Sequence, residues 1–328
     1  MKHNKRRGNP VILVIILILV LVFLISGLQF LESTVFHSTG VTVEPDSKTI
    51  VRDGVKYYPR QDVTVILVAG IDEYGPIVGS DSYNNSGEAD MVSLLIFDES
   101  NEIIHMLSLN RDTMLVVPVL GIGGKPAGTI YGQLALAHTY GSGLEDSAVN
   151  LRNTVSDFLY EADIDYYVTM NMDAISILND AVGGVKVTVT DDFSQIDPTL
   201  TKGEVTLKGT QAVTYVQTRQ GLGDQLNLTR MERQKQYMAG FIDALKQSME
   251  ESSGFVVNTY DTVDEYMVTD CSVKVLASFA DRYSSYTLGD MVSIEGENVK
   301  GEKYMEYHVD KEKLDEVILK YLYAPKTR

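Results

Sequence analysis

Asp72, Asp90 and the adjacent pair Arg111 and Asp112 are the first candidates for chemistry, because each stands at the end of an apolar run that reads as a strand. A second set lies far along the chain. Arg219 follows the apolar stretch Ala212 to Val216, and Arg230, Arg233 and Gln234 open a long helical pattern that begins near Asn227. Arg230 and Gln234 are four residues apart and so share one flank of that helix. Cations near a helix N-terminus oppose the macrodipole, a local cost that makes sense where an anion binds beside them. Together these residue types suit the capture of a negatively charged group by a local cluster of arginines, a bound cation, or both. Each also has a plain reading: Asp at a strand end makes turns, Arg beside Asp forms a surface pair, and the first helical turn is simply solvated.

The elements that must position these residues are legible. Val63 to Ala69 (VTVILVA) is a continuous β-branched apolar run, the pattern of a strand covered on both faces. Met91 to Phe97 and Ile103 to Leu109 are two more, separated by Asp98-Glu99-Ser100-Asn101-Glu102, which has the turn chemistry of a hairpin. The start of one hairpin strand and the end of the other therefore share an edge of the sheet. If the first strand runs parallel to the third, Asp72 arrives at that edge too. In the opposite sense it would lie about 20 Å away. Helical spacing is read over Glu145 to Tyr160, Met172 to Val182, Asn227 to Glu250, Val273 to Tyr283 and a final helix to Tyr323, with strands at Val185 to Val189, Met291 to Glu295 and Tyr304 to Val309. Alternating strands and helices predict an α/β fold: a mixed central β-sheet with helices on both faces. Residues 32–62 read as a linker without sustained periodicity, 63–250 as the main domain, and 251–328 as a continuation of that domain.

Composition narrows the function. The 328 residues are 44% hydrophobic and 22% charged, which excludes a largely disordered chain. A net charge of -17 has the wrong sign for broad contact with nucleic acid. One cysteine, Cys271, excludes an intrachain disulfide or a multi-Cys zinc site, and five scattered histidines show no zinc-hydrolase spacing. Residues 11–31 are apolar apart from Ser26, Gly27 and Gln29, long enough for one helix to cross a bilayer. A cleaved signal peptide is the rival reading, with a shorter apolar core and small residues at its end. Lys2, Lys5, Arg6 and Arg7 precede the span and no Lys or Arg stands between Glu32 and Asp46, so residues 1–10 are expected in the cytoplasm and the main domain outside. Those four cations are the only charges before Glu32, which leaves residues 32–328 at -21.

VTVILVAGID (63–72), EADMVSLL (88–95), LSLNRDT (107–113), DYYV (165–168), AVGGVKV (181–187), LKGTQAVTYVQTR (207–219) and TRMERQ (229–234) resemble, in order and spacing, the successive motifs of the LytR-CpsA-Psr (LCP) family. Seven motifs in register are specific where any one alone would be weak. The resemblance implies a single-pass membrane enzyme of Gram-positive bacteria that moves a glycopolymer phosphate from a polyprenyl diphosphate carrier to peptidoglycan; the acidic charge balance, separately, argues for no nucleic-acid partner. It implies that Asp72 and Asp90 ligate Mg2+ (or Mn2+), that Arg111, Arg219, Arg230 and Arg233 hold the diphosphate with Gln234 beside them, and that Asp112 supports Arg111 and Asp90 in catalysis. Hard oxygen ligands suit Mg2+ and planar guanidinium forks suit phosphate oxygens.

The chain also departs from that pattern. Glu88 stands where the family has Arg two positions before the second Asp, and Gln217 replaces the first arginine of an RTR element whose second is Arg219. Gln133-Leu134-Ala135 replaces Lys-Ile-Asn, and Asn227 replaces an Asp before the helix arginine. Each lost charge-assisted hydrogen bond would weaken diphosphate binding by about 1.5 to 3 kcal/mol. These changes motivate an alternative, a noncatalytic module that binds lipid-linked saccharide and regulates the envelope machinery.

Overall fold

From Val65 to Ile71 burial is unbroken, which only a strand covered on both faces achieves. This strand, β1 (Val63–Ile71), pairs antiparallel with β2 (Ala89–Asp98), and β2 pairs antiparallel with β3 (Ile103–Leu109). β1 therefore runs in the same direction as β3, the condition that brings Asp72 and Arg111 to one edge. The computed structural model describes residues 41–44, 48–218, 227–252, 255–283 and 285–325.

Three further strands complete a six-stranded mixed sheet. β4 (Tyr166–Asn171) lies parallel to β1, β5 (Met267–Thr269) lies antiparallel to β4, and β6 (Thr287–Ser293) lies parallel to β3. The sheet order is β5-β4-β1-β2-β3-β6. Its two edge strands both come from residues after 251, and Val43–Arg328 form one compact unit. The helices that matter for the site are α1 (Glu145–Phe158), α2 (Met172–Ala181), α3 (Thr210–Gln217) and α4 (Asn227–Glu251). On α1 the buried Ala148, Leu151 and Val155 form the apolar stripe read from the sequence, and on α2 Asn171 caps the N-terminus by accepting from the Ala174 amide.

Two expectations need correction. Residues 49–59, read as linker, form a hairpin of Thr49–Arg52 and Val55–Pro59. Its two-residue turn is Asp53-Gly54, with φ of 53° and 76°, the left-handed pair that an Asp-Gly hairpin turn demands. The last helix, capped by the Asp310 carboxylate, ends at Tyr321 rather than Tyr323. Tyr323–Pro325 instead pairs with Tyr57–Pro59 as a strand, because that hairpin offers an open edge. A second hairpin, Met114–Leu120 with Pro126–Gln133, follows β3 directly. No helix among the described residues is long and apolar enough to cross a membrane; the span expected at residues 11–31 lies outside them.

Candidate active site

The edge where β1 ends, β2 begins and β3 ends gathers the charged residues. The Asp72 amide donates to the Glu88 carbonyl at 2.9 Å, so both backbones leave the sheet together. Register then slips: Gly70 faces Met91 and Ile71 faces Ala89, leaving Asp90 as the extra residue of a β-bulge. A bulge re-aims the side chain it carries, and Asp90 is buried at the edge. Just upstream, Gly87 has no room for a side chain, since a Cβ there would sit 2.7 Å from Ile71 Cγ2. Its carbonyl lies 2.9 Å from Nδ1 of the buried His138. Burial pushes the His138 imidazole down to about 4, so it is neutral and can donate that hydrogen bond, fixing the approach to Glu88.

After β3 the chain turns on Asn110. Its side-chain oxygen accepts from the Asp112 amide at 3.0 Å and its carbonyl accepts from the Thr113 amide at 3.0 Å. The turn delivers the Arg111 guanidinium into a ring of carboxylates. Nη2 pairs with Glu88, Nη1 with Asp90, and Nε stands 3.5 Å from Asp112 Oδ1. Arg230, in the first turn of α4, reaches Asp90 from the other side with Nη1 to Oδ2 at 2.9 Å. Asp112 is braced in turn by Gln133, whose amide donates to Asp112 Oδ1 and to the Met305 carbonyl, each at 2.9 Å. The Tyr307 amide donates to the Asp112 carbonyl at 2.8 Å, so residues after 300 buttress this edge.

Asp72 meets a different partner. The side chain of Gln217, at the end of α3, donates to Asp72 Oδ1 at 2.8 Å, and Tyr74 donates to Gln217 Oε1 at 3.0 Å. Gln234 donates to the Val216 carbonyl at 3.1 Å and so holds α4 to the end of α3. Arg219 lies outside the described residues. Arg233 departs from its expected place among the phosphate ligands. It pairs with Asp191 at 2.6 Å, donates to the carbonyls of Tyr215 and Thr218, and lies over the Phe193 ring. Three residues past Arg230 the side chain has turned about 60° around the helix from that flank, toward α3 and away from Asp90.

A cavity of about 190 Å³ opens beside these groups. Asp90, Gln217 and Gln234 stand at its polar end, and the rest is apolar: Val68, Gly70 and Leu95 from the sheet, Ile175 and Leu178 from α2, Phe241 from α4. Sequence patterning could not separate these residues from ordinary core, because a cavity wall and a packed core carry the same periodicity. The partnership of Glu88 with Arg111 and the brace from Gln133 were likewise invisible, each joining segments more than 20 residues apart.

Known proteins bear on this arrangement. The model of the LytR_cpsA_psr family matches residues 31–321. The chain belongs to that family. A protein of Halalkalibacterium halodurans named polyisoprenyl-teichoic acid–peptidoglycan teichoic acid transferase TagU is 30% identical over 264 residues, covering 77% of each chain. The TagU of Oceanobacillus iheyensis is 27% identical, over 96% of this chain and 94% of its own. Among solved structures, TagT bound to LI-WTA superposes with a TM-score of 0.60 at 25% identity, covering 79% of this chain and 88% of that one. TagV of Bacillus subtilis gives 0.59 at 24% identity, over 79% and 95%. The mixed α/β sheet with its helices is the fold of these LCP proteins.

Proposed function

We propose that this LCP protein is a membrane-anchored phosphotransferase that moves a glycopolymer phosphate from a polyprenyl diphosphate carrier onto peptidoglycan during cell wall assembly. The observation that carries this reading is the junction itself: an apolar cavity whose polar end is Asp90, with Arg111 and Arg230 on either side of that carboxylate. A greasy chain with a diphosphate at its head matches such a junction. The apolar stretch at residues 11–31 would hold the domain near the membrane where such a carrier lies.

The donor set suits a divalent cation. Asp72 and Asp90 are hard oxygen donors at one sheet edge, and among the described residues no group of three acidic, His or Cys side chains forms a closed cage. Mg2+ commonly takes one or two carboxylates and completes its shell with water and substrate phosphate. Asp72 and Asp90 are the residues that would hold it, and when bound it would neutralise charge on the diphosphate. Arg111 and Arg230 orient the phosphates and stabilise the charge that develops on the leaving polyprenyl phosphate. A sugar hydroxyl of peptidoglycan forms the new P–O bond as the bond to polyprenyl phosphate breaks. The hydroxyl proton passes to the departing polyprenyl phosphate or to solvent, since both Asp90 oxygens are engaged by Arg111 and Arg230.

The test is transfer by the full chain in lipid nanodiscs, supplied with a polyprenyl diphosphate-linked glycan, peptidoglycan fragments and Mg2+. Release of polyprenyl phosphate is expected, and Arg111→Ala should lower the rate per folded molecule at least 100-fold. Absence of both lipid binding and release in a folded sample overturns the reading.

A further inference from the structure

We infer that Glu88 is a resident anion on Arg111, a displaceable latch that a ligand phosphate must eject, and that it sets the threshold for headgroup capture in this chain. The inference rests on the function proposed above and names a residue that sets ligand affinity at that site. All three edges of the Arg111 guanidinium face carboxylates: Glu88 at Nη2, Asp90 at Nη1 and Asp112 at Nε. A phosphate can use Arg111 only if one of them yields. Asp90 is held on its far oxygen by Arg230 and its side chain is 9% exposed. Asp112 is 4% exposed and braced by Gln133. Glu88 is different: its side chain is 41% exposed. When displaced it swings into water, whereas either neighbour would be left as a buried, uncompensated charge.

The charge balance points the same way. Glu88, Asp90 and Asp112 outweigh Arg111 and Arg230 by one negative charge, and Asp72 adds another at the same edge. A weak monoanion gains too little from Arg111 to eject Glu88. A diphosphate, with more charge and two groups to place, gains more. The latch therefore raises the affinity a headgroup needs in order to enter, and it resists idle occupation by small anions.

The experiment measures binding of inorganic pyrophosphate and inorganic phosphate to the full chain in nanodiscs by calorimetry, with EDTA present so that no metal contributes. Glu88→Gln keeps the shape and removes the charge; Glu73→Gln removes a carboxylate from the same edge that contacts Ser86 rather than Arg111. A half-exposed pair is worth about 1 kcal/mol, so Glu88→Gln should tighten pyrophosphate about five-fold and phosphate by a similar factor. Glu73→Gln should change either by less than about two-fold, and in an Arg111→Ala background the Glu88 gain should vanish. Equal tightening by both neutralising substitutions would reduce Glu88 to background charge and overturn the latch. So would wild-type binding that Glu88→Gln leaves unchanged or weakens. If neither wild type nor Glu88→Gln binds pyrophosphate, with EDTA or in a repeat with Mg2+, the diphosphate site itself falls with it. Binding by Glu88→Gln alone would support the latch in its strongest form.

Discussion

Replacing Gly70 by leucine would narrow the apolar cavity without touching a charge. Gly70 lies on β1 and lines the cavity with Val68 and Leu95, and a Cβ built there meets only Met91 Cβ, at an ordinary 3.5 Å. The substitution therefore does not force the sheet apart. A leucine side chain places four carbons in a space of about 190 Å³, close to the five carbons of one isoprene unit. At about 0.8 kcal/mol per buried methylene, an isoprene excluded from the cavity forfeits about 4 kcal/mol of transfer free energy. Chain ordering and contacts kept elsewhere return roughly half of that. Affinity for an isoprenyl diphosphate should fall by about 2 kcal/mol, or about 30-fold. Calorimetry with farnesyl diphosphate should register that loss, while inorganic pyrophosphate, which needs only the charged end, should bind within about two-fold of wild type. If farnesyl diphosphate binds equally well to both proteins, the cavity is not the lipid chamber. If both ligands weaken together, the substitution has disturbed the polar end and the separation of headgroup from tail is wrong.

Arg233→Ala removes a buried ion pair with Asp191 and two carbonyl contacts, and should lower stability by about 3 to 5 kcal/mol in chemical denaturation, while pyrophosphate affinity per folded molecule stays constant. A selective loss of pyrophosphate binding would return Arg233 to the phosphate ligands. Gln133→Leu leaves Asp112 and the Met305 carbonyl without their shared donor and should cost about 1 to 3 kcal/mol of stability, read as a lower melting temperature; an unchanged melt would show that the brace is not energetically coupled. His138 titrates at about 4 in the fold against about 6.5 unfolded, so the unfolded chain binds the extra proton between those values. Its contribution is full above pH 6.5 and lost as pH falls toward 4, a change of about 3 kcal/mol, and His138→Gln should flatten that part of the stability profile measured by urea unfolding. A wild-type profile with no slope there would place the imidazole in water.

Strands that are largely apolar on both faces, and helices with one apolar stripe, announce themselves through local periodicity; β1 to β3, α1, α2 and α4 are of this kind. Because β2 and β3 form a hairpin, Asp90 and Arg111 had to share an edge, and parallel placement of β1 brings Asp72 there. The hairpin turn at Asp53-Gly54 escapes the linker reading, although its two residues are ones that tolerate its left-handed backbone.

Long-range pairing decided the rest. The Asp90 bulge depends on which residue of β1 faces which residue of β2, and no local pattern encodes register there, since both strands are apolar on both faces. Arg230 and Arg233 are three residues apart and alike in type, yet one faces Asp90 and the other Asp191, because only the packing of α4 against the rest of the fold fixes which flank meets which carboxylate. The cavity exists where side chains of the sheet, α2 and α4 fail to fill the space between them, a property of three surfaces together. The sequence by itself determined the elements and the chemical groups at their ends; the tertiary structure alone decided which charges touch, because contact between distant segments is set by packing free energy summed over the whole core.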